Sequence, residues 1–220
     1  IASIDANNYH FCDYIAKKKR PTIISTGMCT YEEILKTQKI FNKYKTPHIF
    51  LHCTSAYPSK EKDKNLNCIP KLRKILNEDV GFSGHGTGLA GATGATALGA
   101  KVIEKHVTLN TKMLGPDHAA SLNFDTFAKM AELARKVYTS LGSANKKFLT
   151  SEKTLHGILC RKFVVKKLIK KNERLTKHNI KTALTYSSGG ILPKKYYDII
   201  KKRSKKSLKP EHILKFSDLK

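Results

Sequence analysis

Two histidines carry the sharpest chemical signal in this sequence. His85 and His106 each stand at the carboxyl end of a short run that reads as a β-strand, Val80-Gly81-Phe82-Ser83 and Lys101–Val107. Neighbouring strands lie ~4.8 Å apart, so two such imidazoles can share one divalent ion at ~2.1 Å each. The competing reading makes one histidine a helix cap and the other a satisfied core residue. Other strand ends are equally polar: Ser25-Thr26-Gly27, His52-Cys53-Thr54-Ser55 and Ser83-Gly84. Packing alone needs only apolar groups there, and ligands of parallel α/β folds collect at these ends. Asp117, in Gly115-Pro116-Asp117-His118, suits a sugar hydroxyl or a histidine, or is simply a turn residue. Ser3, Asp5, Asn7 and Asn8 make a further polar cluster, or a frayed end.

Gly86-Thr87-Gly88-Leu89-Ala90-Gly91 matches G-x-G-x-x-G, and Glu104 lies near the distance of a ribose-binding acid. This keeps a dinucleotide-binding domain open as an alternative. The fingerprint, however, belongs to the first βαβ unit, and here it follows the third strand. Close helix packing explains the same glycines.

The elements that would position these groups follow a regular order. Thr22–Thr26 is β-branched and reads as a buried strand; Thr30 with Glu33 forms a capping box that opens a helix running to about Tyr44. His48–Cys53 is a second strand, followed by a helix near Asn67–Asn77. Val80–Ser83 is the third, with a small-residue helix from about Gly88 to Leu98, and Lys101–Val107 the fourth. Phe124–Leu141 is an amphipathic helix with Phe127, Met130, Leu133, Ala134 and Val137 at core spacing. Four strand–helix units predict a parallel sheet with right-handed crossovers, either an open doubly wound sheet or half of a barrel. Beyond Gly142 the texture becomes polar and linker-like. Residues 156–220 then read as a small, loop-rich second domain with Phe163-Val164-Val165 as a β piece and a turn at Lys171–Arg174.

The chain has 220 residues, 40% hydrophobic and 27% charged, which is globular composition. No apolar run reaches the ~20 residues of a membrane span. Five cysteines without a C-x-x-C pair suit reduced thiols in the cytoplasm. The chain opens Ile1-Ala2-Ser3 without Met or a leader, so it reads as a fragment. The net charge is +25, with 20 Lys and Arg against 5 Asp and Glu in residues 151–220. Lysine doublets with little Arg and few interleaved aromatics read as a solvated surface, which argues against a nucleic-acid partner.

Taken in order, the segments from Ser3 to Leu122 resemble the N-acetylneuraminate (sialic acid) synthase family. They are Ser3–Asn8, Ile24–Met28, His52–Pro58, Phe82–His85, Ala97–His106 and Gly115–Leu122. Residues 156–220 resemble, more weakly, that family's antifreeze-like (SAF) domain. The resemblance implies a (β/α)8 TIM-type barrel, of which about the last four strand–helix units are present in residues 1–145. A linker over 146–155 and a β-rich SAF domain over 156–220 follow. The implied reaction condenses phosphoenolpyruvate with N-acetylmannosamine or its 6-phosphate, giving N-acetylneuraminate or its 9-phosphate and releasing phosphate. By resemblance, His85 and His106 hold Mn2+ or Mg2+, and Asp5 is the catalytic carboxylate. Ser3, Ser25, Ser55 and Ser83 bind phosphoenolpyruvate, with Ser55 in place of an Asn common in bacterial members, and Tyr57 and Asp117 contact the sugar. The run Ser83–Gly88 is closer to eukaryotic members, which use the 6-phosphorylated sugar. A homodimer is implied, the small domain capping the partner's site, although Lys181–Thr185 lacks the Arg that makes this contact. Basic groups preceding Ile1 in the family lie outside the chain, so this piece alone is expected to be inactive and poorly soluble. A catalytically incomplete, basic binding protein derived from a synthase is the alternative, and would show nucleic-acid affinity with a steep salt slope.

Overall fold

The computed structural model describes all 220 residues, and they fall into two compact units, Ile1–Ser143 and Ala144–Lys220. In the first, a short 3-10 turn (Ser3–Asp5) leads into α1 (Tyr9–Lys17), whose first turn is capped by the Asn8 side chain accepting from the Phe11 amide. Then come β1 (Thr22–Ser25), α2 (Tyr31–Lys43), β2 (His48–Cys53), α3 (Cys68–Leu76), β3 (Val80–Gly84), α4 (Ala90–Ala97), β4 (Ile103–Lys105) and α5 (Phe124–Leu141). Both halves of the Thr30/Glu33 capping box are formed at the start of α2. No helix is long and apolar enough to cross a membrane.

The four strands make one parallel sheet in the order β1-β2-β3-β4. Strand side chains alternate between faces, and this sheet separates them by chemistry. Ile24, Phe50, Val80, Phe82 and Ile103 face the helices and pack with Ile34, Phe41, Ile69, Leu72 and Leu76. Ser25, Cys53, Ser83 and Glu104 take the opposite face by the same alternation. Gly81 allows this sheet to close up: a Cβ there would come within 2.3 Å of Leu51 Cδ2 and 2.6 Å of the Val102 carbonyl oxygen. The helix α4, made of Ala, Gly and Thr, lies close to β3, and Ala92 joins Leu122 and Met130 of α5 in a small separate cluster.

The second unit holds α6 (Lys153–Leu159), the antiparallel pair β5 (Lys162–Val165) and β6 (Ile180–Ala183), and the single turn α7 (Tyr196–Ile199). Phe163, Val165, Ile169, Leu175, Ile180, Ile191, Ile199, Leu208 and Leu214 form its core. The stretch 146–155, read as a linker, contains the 3-10 turn Thr150–Glu152 and the start of α6. Glu152 organises it by accepting from the Leu149 amide at 2.7 Å. All five cysteines are free.

One buried acid holds the end of this unit. Asp218 accepts from His212 Nε2 (2.9 Å), the Lys215 amide (3.0 Å) and Lys206 Nζ (3.0 Å). Burial alone would raise its pKa, but these hydrogen bonds outweigh it and hold the carboxyl below its usual value. A depressed folded pKa gives stability that is full above the unfolded value near 4 and fades as pH falls through the folded one. Asp218→Asn should therefore destabilise the second unit by about 1–3 kcal/mol at pH 7. In urea titrations the gap from wild type should narrow below pH 4.

Candidate active site at the strand ends

The β3–β4 register pairs Ser83 with Glu104 and Gly84 with Lys105, so His85 and His106 are the next residues on adjacent strands. Their rings meet edge to face at 88°, with centroids 5.1 Å apart. An ion bound at ~2.1 Å lies about 3.3 Å from an imidazole centre, so two rings on one ion stand about 4.5–5.5 Å apart. The observed pair fits. His85 is buried, and its Nδ1 lies 3.0 Å from the Thr54 carbonyl oxygen. A carbonyl only accepts, so Nδ1 carries the hydrogen and Nε2 presents its lone pair, the kind of hydrogen bond that orients a metal-binding histidine. No group of three or more His, Cys, Asp or Glu forms a complete protein cage for an ion. The two imidazoles would leave the remaining coordination positions to water or substrate.

Tyr57 covers the pair, its ring centroid 4.1 Å from His85 and 5.7 Å from His106. Burial, and then the surrounding Cys53, Asp117 and Glu104, push its phenol pKa upward. Asp117 lines an open depression with His106, His118 and Ser121.

Two hydroxyl groupings complete the face. Ser25 and Ser83 both donate to Glu104 Oε1, at 3.3 and 2.7 Å. Ser3 Oγ accepts from the Gly27 amide (2.9 Å) and contacts Cys53 Sγ (3.6 Å), which in turn lies 3.7 Å from His85 Nδ1. Ser55 Oγ is buried without a hydrogen-bond partner. Gly27 leaves room for this cluster, since a Cβ there would stand 2.1 Å from Ser55 Oγ and 2.8 Å from Ser3 Oγ.

The sequence-derived candidates thus fall into two contact groups at the strand ends. Ser25 and Ser83 meet on Glu104, and Ser3, His85, His106 and Tyr57 are linked through Cys53 and ring contacts. The Asp5 carboxylate accepts from Asn8 Nδ2 at 3.3 Å. Sequence reasoning counted Glu104 among the polar strand ends and weighed it as a ribose acid, but gave it no place in the site. Instead it faces the two serines. The signal was available in the alternation of β4, which puts Glu104 on the same face as His106. Cys53 was also passed over, although it is the link between Ser3 and His85.

The sequence profile of the NeuB family matches residues 1–146. A pseudaminic acid synthase of Campylobacter jejuni is 40% identical over 220 residues, covering 99% of this chain and 63% of that protein. The chain thus spans less than two thirds of that relative's length. Among solved structures, an N-acetylneuraminic acid (sialic acid) synthetase from Leptospira borgpetersenii superposes with TM-score 0.67 at 33% identity, over 70% of this chain and 54% of the other. A spore coat polysaccharide biosynthesis protein E from Chromobacterium violaceum shares the fold over 100% of this chain and 66% of its own, with TM-score 0.76 at 23% identity. The parallel sheet is accordingly part of a TIM-type barrel.

Both atoms that a Gly27 methyl would meet first are hydroxyl ends able to swing away. Gly27→Ala should keep a cooperative melt within a few degrees of wild type, equivalent to about 1 kcal/mol, while a crystal structure shows Ser55 or Ser3 displaced. Loss of cooperative melting would mean that the backbone gives way instead.

Proposed function

Because the chain belongs to the NeuB family, we propose that it is part of a sugar-acid synthase joining phosphoenolpyruvate to an aldehyde amino sugar of the N-acetylmannosamine type. The observation that carries this reading is the oriented His85–His106 pair beside a face of serine hydroxyls. Carbon 3 of phosphoenolpyruvate attacks the aldehyde carbon, water adds to carbon 2, and phosphate leaves with cleavage of its C–O bond. His85 and His106 would hold Mn2+ or Mg2+, which when bound supplies Lewis acidity toward the aldehyde. Asp5 is placed in the role of positioning or deprotonating the water.

Hydrogen-bond accounting ranks the serines. A serine hydroxyl has a single hydrogen, and those of Ser25 and Ser83 already point at Glu104. Each must turn from a carboxylate before it can donate to phosphoenolpyruvate. Ser55 has no such prior engagement. Ser55 is therefore the readiest donor to the anionic substrate, Ser3 the next, and Tyr57 and Asp117 belong to the sugar side of the site. We read the second unit as the family's SAF domain, capping the active site of a second subunit in a homodimer. Its +15 charge surplus over residues 151–220 would favour anionic substrates. The similarity to a pseudaminic acid synthase makes the sugar precursor of pseudaminic acid a substrate to set beside N-acetylmannosamine and its 6-phosphate.

The test is phosphate release by the full-length protein that contains this chain, with phosphoenolpyruvate and each of these sugars, with Mn2+ or with chelator. Release should need both substrates and the metal, and His85→Ala should abolish it. Ser55→Ala should raise the phosphoenolpyruvate KM about tenfold, the worth of one hydrogen bond to a charged group. Ser25→Ala should change it less. Metal-independent release, or full turnover by His85→Ala, would overturn the assignment.

A further inference from the structure

We infer that Lys105 is a positioning residue whose ammonium ties together the two loops that carry the site, an inference resting on the reading of His85 and His106 as the metal-binding pair. Glu104 and His106 take the inner face of β4, so Lys105 points the other way, to the side where Ile103 meets the apolar core. Packing there would take an aliphatic side chain. The amine instead donates to two main-chain oxygens, those of Gly86 and of Ala120, the latter at 2.6 Å. No backbone amide bonds to either carbonyl, so the lysine is the donor that satisfies both.

The positions of those carbonyls matter. Gly86 follows His85 directly, in the turn before α4 where Gly88 takes φ +122°. Ala120 closes the loop that carries Asp117, and two residues later the Leu122 amide bonds the His106 carbonyl at 3.0 Å. One cation between β3 and β4 thus fixes the segment after each histidine. An apolar side chain of equal length would fill the same space and leave both buried carbonyls without a donor, free to drift apart. Lys64 does not duplicate the function: its Cε and Nζ lie close to Gly86, but its ammonium donates to the Glu61 carboxylate and bridges no second loop.

Two measurements on the full chain test this. Mn2+ binding, followed by the loss of the free-ion electron paramagnetic resonance signal, should weaken at least tenfold in Lys105→Met, the scale of losing an outer-shell support. Lys105→Arg, which keeps a cationic donor, should recover most of it. Amide hydrogen exchange reads the tether without any metal: Lys105→Met should speed exchange in residues 86–90 and 117–121 together, and Lys105→Arg should not. Should Lys105→Met fail to melt cooperatively, Lys105→Gln, with a donor of shorter reach, takes its place. Unchanged exchange in both segments, or Mn2+ affinity equal to wild type, overturns the proposal. If wild type and His85→Ala alike bind no Mn2+, the metal reading falls, and the exchange data alone decide the tether.

Discussion

The parallel register between β3 and β4 is the constraint on which the rest depends. Pairing Phe82 with Ile103, Ser83 with Glu104 and Gly84 with Lys105 brings the two imidazoles side by side and sets a carboxylate against a serine. A slip of one residue would turn Glu104 and His106 into the helix-facing core and put Lys105 where the histidine belongs. Such a slip is strongly opposed, because Ile103 would leave the packed layer of Phe82, Ile69, Leu72 and Leu76. The apolar side of the sheet therefore fixes the polar side, and site geometry is inherited from core packing.

The same division explains how so many hydroxyls can be crowded at one end of the sheet. Each has a defined partner: Glu104 collects Ser25 and Ser83, and the Gly27 amide and Cys53 thiol hold Ser3. Ser55 is the exception, its buried hydroxyl having no hydrogen-bond partner. Cys53 contributes by filling space between Ser3 and His85 with a weakly polar atom that competes for neither strongly.

Much of this was legible in the residues. The β-branched and apolar runs located all four strands, and Thr30 with Glu33 marked the start of α2 because a capping box is a local event. The small residues of α4 were also visible, though they imitate a nucleotide fingerprint. Less local features were hidden. Tyr9–Lys17 forms a helix whose polar start resembles a frayed end until Asn8 is seen capping it and Cys12 and Ala16 are seen buried. In sequence Glu104 reads as a ribose acid and Lys105 carries no assignment. Only the pleat reveals that one faces two serines and the other two carbonyls.

The plainness of α4 has a consequence for how the chain matures. Glycines within a helix weaken it by about 1 kcal/mol each, and α4 carries Gly91 and Gly94 with no large side chain to bury. Its place is set by what lies around it, above all Phe82 beneath and Met130 of α5 alongside. During synthesis α4 leaves the ribosome before α5 does. The seat of α4 is therefore completed by a helix that follows it in the chain, Met130 of α5 closing against Ala92.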